Sequence, residues 1–267
     1  MPLHIGIIET GRPPEALGAR HGSYPDMFER LLTTGADEAD GALSFSTYAA
    51  LDGDVPSDPA GADAWLITGS KHGVYEQLDW MHALEGFIRH VVDARVPVIG
   101  ICFGHQIVAT ALGGRVVKSD RGWGVGHHTY TLNDAPDWLD GDEDDGQRTW
   151  HINAVHQDQV VDVPKGGKVI GRSDFCPNAI IAYGTSAFTM QPHPEFDDDF
   201  KRDLLEDRLR PIVPSDRIAA AHETLGNALD RAAAARAILS FIAYARAQTS
   251  AHAARPEAPT PTAREVA

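Results

Sequence analysis

An α/β fold built on a doubly wound, mostly parallel sheet is what this sequence predicts, and three observations predict it. Short β-branched apolar runs alternate with longer amphipathic stretches through the first half of the chain. One of those runs, 96–101, leads straight into a Gly-X-Cys-X-Gly turn followed by helix-forming sequence. The 267 residues are 43% hydrophobic, enough to bury a full core in one large domain or two small ones.

Taken in order, strands are expected at 4–8, 43–48, 64–68 and 96–101, with helices between them. The stretch 25–34 places Met27, Phe28, Leu31 and Leu32 at helical spacing. The stretch 78–94 does the same with Leu84, Phe87, Ile88, Val91 and Val92. A helix over 106–112 stops at Gly113-Gly114, a C-terminal signal. Further strands are expected at 116–117, 127–132, 147–153, 168–172, 179–183 and 187–191, so 115–192 reads as an added small β-rich part, more antiparallel than the first half. Residues 196–210 read as a solvated amphipathic helix, and 216–247 as a final alanine-rich helix carrying Ile238, Leu239, Phe241 and Ile242. The expected domain is 1–247, and 248–267 has the composition of a disordered tail. The acidic run 140–145 has a loop's composition and reads as solvated rather than metal-binding.

A formal net charge of −15 argues against nucleic acid as a partner, because phosphate backbones are bound by lysine and arginine clusters. Two cysteines, Cys102 and Cys176, make no disulfide framework and point to a reducing cytoplasm. The N-terminus has no signal-type segment, and no apolar run approaches the roughly 20 residues that span a bilayer. The expected location is cytoplasmic, with no membrane contact.

The turn at 100–104 gives Cys102 two properties of a nucleophile. Glycines at 100 and 104 let the backbone bend sharply, and the helix that follows turns its free N–H groups toward the sulfur. A buried core cysteine is the competing reading. A thiolate needs a base, and that base needs an orienting group. With 13 histidines in the chain, a histidine alone decides nothing. The informative one is His193 in Gln191-Pro192-His193-Pro194-Glu195, where flanking prolines stiffen the backbone and Glu195 can meet the ring from the same side. A rigid loop meeting water is the alternative there. Both segments follow strand candidates, which is where open α/β sheets place their sites. The N–H of Phe103 and a Gly turn at Thr68-Gly69-Ser70 supply candidate oxyanion donors, although Gly69 also suits an ordinary strand-ending turn.

Together, Gly100-Ile101-Cys102-Phe103-Gly104-His105-Gln106, Ala111-Leu112-Gly113-Gly114 and Gln191-Pro192-His193-Pro194-Glu195 resemble class I (triad-type) glutamine amidotransferase domains, with the motifs in the same order over about residues 4–200. The resemblance is to a stand-alone domain related to the glutaminase half of GMP synthetase. It implies a flavodoxin-like doubly wound fold with Cys102 as nucleophile, His193 as general base and acid, and Glu195 as its orienter. It also implies Gly69 and Phe103 at the oxyanion hole. Gln106 and the segment His156-Gln157-Asp158 would grip the amino and carboxylate ends of glutamine. No cofactor and no metal are implied.

The reaction implied is hydrolysis of the glutamine side-chain amide through a cysteinyl thioester, with a separate synthetase as the partner that takes the ammonia. Two alternatives accompany it: a hydrolase of γ-glutamyl peptides or polyamines using the same triad, and a non-enzymatic binding or regulatory member. Pro192 departs from the family, which usually has an aromatic or other apolar residue there. No Ser-Gly-Gly-X-Asp-Ser pyrophosphatase loop is present, so a complete GMP synthetase is not expected. Trp123, Tyr75, the segment Lys71-His72-Gly73-Val74-Tyr75-Glu76 and the pair His127-His128 are candidate substrate markers. Trp123, Tyr75 and the histidine pair read first as packing residues; the two histidines, as neighbours on a strand, face opposite ways and do not share an ion. Cys176 reads as a buried structural thiol.

Overall fold

The computed structural model describes residues 2–36, 41–133, 136–139 and 148–253. Its parallel half comprises β1 (Leu3–Ile8), β2 (Leu43–Tyr48), β3 (Ala64–Ile67) and β4 (Val98–Ile101), aligned in the order β2-β1-β3-β4. The three inner strands are covered on both faces, which explains their nearly continuous apolar runs. Helices α2 (Tyr24–Gly35) and α7 (Arg231–Ala253) cover one face, packing Phe28, Leu32, Ile238 and Phe241 with Ile5, Ile7 and Ile99. Helices α3 (Asp79–Asp93) and α4 (Phe103–Ala111) cover the other, with Leu84, Phe87 and Ile107 against Ile8, Trp65 and Ile67. Helix α2 starts where Ser23 and Asp26 form a reciprocal capping box, with Pro25 in the first turn.

The expected added β-rich part is built largely as an antiparallel continuation of the same sheet. After β5 (Arg115–Lys118), the strands β6 (Gly124–Leu132), β7 (Arg148–His156), β9 (Lys168–Arg172), β10 (Ile180–Tyr183) and β11 (Ala187–Met190) extend it in the order β4-β11-β10-β9-β6-β7. Among the described residues, β5 and β8 (Asp158–Asp162) pair apart, as a two-stranded antiparallel ribbon. Strand β11 joins β4 in parallel, with Met190 beside Ile101. That pairing delivers Cys102 and the Gln191–Glu195 segment side by side at one end of the sheet.

The sequence does not anticipate strand β8 or helix α1 (Glu15–His21); in α1 only Leu17 is buried and apolar periodicity has nothing to register. The region 196–210 is α-helical only as α5 (Asp198–Leu204) and then passes into a π turn, Leu205–Leu209. Nor is it merely solvated: Phe200, Leu204, Leu205 and Leu209 are buried with Val125, Val213 and Ile218. The single helix expected at 216–247 is two, α6 (Ser215–Glu223) and α7. Between them the chain turns at Gly226, with φ 85. Asp230 then ties it to β7, donating its N–H to the His151 carbonyl (2.8 Å) while its carboxylate accepts from the His151 N–H (2.7 Å). Helix α7 continues past 247 to Ala253, while the run 140–145 and the segment from 254 lie outside the described residues. Among the described residues, no helix is long and apolar enough to cross a membrane.

Candidate active site

Cys102 occupies the junction of β4 and α4 with φ 53 and ψ −101, a conformation that side-chain-bearing residues avoid. The junction is held tightly. The Cys102 N–H donates to the Met190 carbonyl (2.9 Å), and the Gly104 N–H donates to the Thr68 carbonyl (3.2 Å). A Cβ at Gly100 would lie 2.5 Å from the Gly104 oxygen, and one at Gly104 2.3 Å from the Ile67 oxygen, so both positions require glycine. The sulfur therefore sits at the N-terminus of α4, where first-turn N–H groups have no partner within the helix.

His193 comes to this sulfur from the end of β11. Its N–H donates to the Asn153 carbonyl (2.8 Å), and the N–H of Gln191 donates to the Ala179 carbonyl (2.7 Å). Pro192 lies between these two anchored amides and removes a donor at a point where neither flanking bond needs it. The imidazole Nδ1 pairs with Glu195 Oε1 at 2.7 Å, leaving Nε2 for the cysteine. The ring lies flat on Phe196, with centroids 4.1 Å apart and planes 4° from parallel. Arg231, at the start of α7, donates to the carbonyls of Pro194 (2.9 Å) and Glu195 (3.2 Å) and so fixes the turn from behind. Burial alone would lower the imidazole pKa, but the Glu195 carboxylate and the Cys102 thiolate outweigh it and raise it to about 10.

Gly69 lies close to both side chains: a Cβ there would lie 2.9 Å from His193 Cε1 and 3.7 Å from Cys102 Cβ. Thr10 braces this turn, its hydroxyl donating to the Thr68 (2.9 Å) and Gly69 (3.2 Å) carbonyls. Phe103, directly after the cysteine, opens α4, so the two backbone positions expected as oxyanion donors, Gly69 and Phe103, both lie close to Cys102.

These groups open into a cavity of about 320 Å³. Gln106 and the 156–158 segment form one wall. Gln106 Nε2 donates to the Asp158 carbonyl (3.1 Å) and to Gln191 Oε1 (3.1 Å), which ties that wall to the His193 segment. His156 is buried against Phe175, and burial pushes its pKa down to about 3, so it stands neutral. Asp158, its own pKa raised by burial, accepts a hydrogen bond from the Tyr75 hydroxyl (3.2 Å). Trp123 and Tyr75, read first as packing residues, line the cavity, as do Lys71 and His72. Another part of the lining is not legible in the sequence: Tyr24 from the start of α2, with Arg208, Leu209 and Ile212 from and beyond the π turn. For Arg208 and Leu209 the one sequence signal is the amphipathic pattern of 196–210, which says nothing of a cavity.

The remaining candidates sit elsewhere. His127 stacks on His151 (5.1 Å) and its Nε2 meets the Ala228 carbonyl (3.0 Å), whereas His128 packs on Phe175 from the other face of β6. Cys176 is fully buried, and burial pushes its thiol up to about 12, which keeps it protonated and unreactive. His105, inside the cysteine motif, is buried on Thr189 (2.8 Å) with a pKa lowered to about 3 by that burial, a packing role.

A strained cysteine at a strand-to-helix turn, a carboxylate-held imidazole and a glycine turn thus meet at one end of the α/β sheet. Comparison with known proteins gives the class. Residues 60–210 match the family Glutamine amidotransferase class-I. A glutamine amidotransferase-like protein of Schizosaccharomyces pombe is 32% identical over 204 residues, covering 73% of this chain and 80% of that one. Gamma-glutamyl peptidase 4 of Arabidopsis thaliana is 28% identical over 70% of this chain and 73% of its own. A glutamine-hydrolysing GMP synthase subunit of Halobacterium salinarum is 32% identical over 66% of this chain and 85% of its own. The fold matches the crystal structure of a glutamine amidotransferase from Methylobacillus flagellatus with a TM-score of 0.64 at 22% identity, covering 93% of this chain and 94% of that one. The chain belongs to the class I glutamine amidotransferase family.

Proposed function

We propose that this chain hydrolyses γ-glutamyl amides, with glutamine as the simplest substrate, through a cysteinyl thioester. Cys102 is the nucleophile, His193 the general acid and base, and Glu195 the group that orients and charges the imidazole. The observation that carries this reading is the φ of 53 that presents Cys102 beside a His193 whose other nitrogen is held at 2.7 Å by Glu195. In the first step the thiolate attacks the side-chain carbonyl carbon, and the Gly69 and Phe103 N–H groups stabilise the oxyanion. The C–N bond then breaks, the His193 imidazolium gives its proton to the leaving nitrogen, and ammonia or an amine departs. Water, losing a proton to His193, adds to the thioester; the C–S bond breaks, and glutamate and the thiolate–imidazolium pair are restored. Gln106 and the 156–158 segment hold the α-amino and α-carboxylate groups.

Glutamate release from glutamine, measured beside amine release from a γ-glutamyl dipeptide, tests the reading; the absence of both sinks it. The dipeptide arm represents the second reading, a γ-glutamyl peptide hydrolase. It is favoured by a cavity that continues past Cys102 and His193 to Tyr24, Arg208 and Ile212, and by the relative named gamma-glutamyl peptidase. The Halobacterium relative, a GMP synthase subunit by name, supports a separate synthetase protein as the partner of the glutamine-hydrolysing form.

The raised imidazole pKa has two consequences. The His193 contribution to stability is full below its ordinary value of 6.5 and is lost as pH climbs through about 10, because the folded state holds that proton more tightly than the unfolded one. The same proton serves the leaving group, so kcat/KM should fall on the alkaline side near pH 10. Glu195→Gln removes the charge that holds it and is expected to move that limb to lower pH; a limb that stays in place contradicts the role given to Glu195. Arg231 acts through the turn alone. Arg231→Ala is expected to lower stability by about 1.5–3 kcal/mol, the range for hydrogen bonds involving a charged group, and to reduce kcat more than it raises KM, as chemical denaturation and steady-state kinetics would show.

A further inference from the structure

Resting on the hydrolase reading above, we infer that the preferred substrate is an anionic γ-glutamyl compound whose leaving amine carries a carboxylate, and that Arg208 receives that carboxylate. The cavity's charge is the first observation. In a chain of net charge −15, its walls carry three fixed cations, Lys71, Lys118 and Arg208, against two carboxylates, Glu76 and Asp158. A locally positive cavity in an acidic protein favours entry of anions. Glutamine is a neutral zwitterion, a γ-glutamyl polyamine is cationic, and a γ-glutamyl amino acid carries one net negative charge. Of these, only the last gains from the arrangement.

The second observation singles out Arg208. Lys71 lies in the field of Glu76, which is itself bound to His72 (2.7 Å) and to the Gly73 N–H (2.8 Å). Lys118 lies in the field of Asp158. The acidic neighbours of Arg208 are already engaged: Glu206 by Arg210 (2.5 Å) and His222 (2.8 Å), and Asp207 by Arg20 (2.5 Å). Among the described residues, Arg208 makes no hydrogen bond or ion pair, although it is partly buried on the cavity wall. A guanidinium in that setting is a fork awaiting a planar anion. The π turn Leu205–Leu209 brings it there, burying Leu205 and Leu209 while Arg208 faces the cavity.

Position decides which end of the substrate it meets. His193 must reach both the sulfur and the leaving nitrogen, so the leaving amine departs on the imidazole's side. That side is the wall of Phe196, Tyr24 and Arg208: Phe196 underlies the ring at 4.1 Å, and Tyr24 packs on Phe196 at 5.8 Å. Tyr24, Phe196 and Arg208 line the same cavity as Cys102 and His193. The γ-glutamyl end is assigned to Gln106 and residues 156–158, which line the same cavity.

The test compares γ-glutamylalanine, γ-glutamylethylamide (the same amide without its carboxylate) and γ-glutamylputrescine, with glutamate release as the readout. The wild-type protein is expected to show a kcat/KM for γ-glutamylalanine about ten- to a hundredfold above that for the ethylamide, the span of a charge-assisted contact, with the putrescine amide lowest. Arg208→Ala should erase this preference by slowing γ-glutamylalanine alone, leaving ethylamide hydrolysis as the internal control for folding. Arg208→Lys should restore part of it. Turnover of all three amides without preference, or an equal loss on alanine and ethylamide in Arg208→Ala, overturns the assignment and leaves the hydrolase reading standing. No glutamate from any of the three overturns both.

Discussion

Cys102→Ala is expected to lower glutamate release from glutamine and from γ-glutamyl amides by about 10⁴- to 10⁶-fold, the loss seen when the nucleophile of a triad is removed. The protein should still fold, because the substitution deletes one sulfur from a site whose glycines and backbone hydrogen bonds are unchanged. Cys102→Gly sharpens the test. The residue holds φ 53, where a side chain costs about 1–2 kcal/mol. Glycine removes that cost while giving up the buried thiol, so its stability should stay within about 1 kcal/mol of the wild type, with hydrolysis equally lost. Denaturant titration and glutamate release on the same samples separate the two effects. A fall in stability of several kcal/mol in Cys102→Gly would mean that Cys102 is core and its strained backbone incidental. Retained hydrolysis in either variant would overturn its role as nucleophile.

What can be read from the sequence follows from how locally each feature is determined. The strand-turn-helix at 98–111 is written in consecutive residues, because the two glycines, the cysteine and the apolar runs act on one another directly. His193 and Glu195 are likewise two residues apart, and their stiff flanking prolines mark them. Their approach to Cys102, however, depends on β11 pairing in parallel with β4, a register no local pattern encodes. The same limit leaves open from sequence how the added strands of 115–192 attach: antiparallel strands alternate alike whether they form a second sheet or lengthen the first. The helix break at 224–230 turns on Asp230 gripping His151 from a distant strand. Arg208 is the furthest case. Its sequence neighbourhood reads as a solvated amphipathic helix; the π turn that brings it to the cavity, and the distant partners that engage Glu206 and Asp207, are set by the fold.

Gly104→Ala should be among the most damaging single-methyl additions in the chain, against the ordinary rule for helices. Alanine in place of glycine in a helix interior normally stabilises by about 0.5–1 kcal/mol. At position 104 the new Cβ would meet the Ile67 carbonyl oxygen at 2.3 Å and the Ile67 carbonyl carbon at 3.0 Å, and both belong to backbone that cannot rotate away. Relief requires α4 to move off β3, breaking the bond from the Gly104 N–H to the Thr68 carbonyl and parting Cys102 from the Gly69 turn. Overpacking costs about 1–3 kcal/mol, and a misplacement near 1 Å in a catalytic constellation costs about 10²-fold in rate. Gly86→Ala in α3 is the matched control, since its Cβ finds nothing within 4 Å. Denaturant midpoints should therefore move in opposite directions, down for Gly104→Ala and up for Gly86→Ala, with hydrolysis impaired only in the former. Equal behaviour of the two would mean that the close approach of β3 and α4 is not what holds the nucleophile in place.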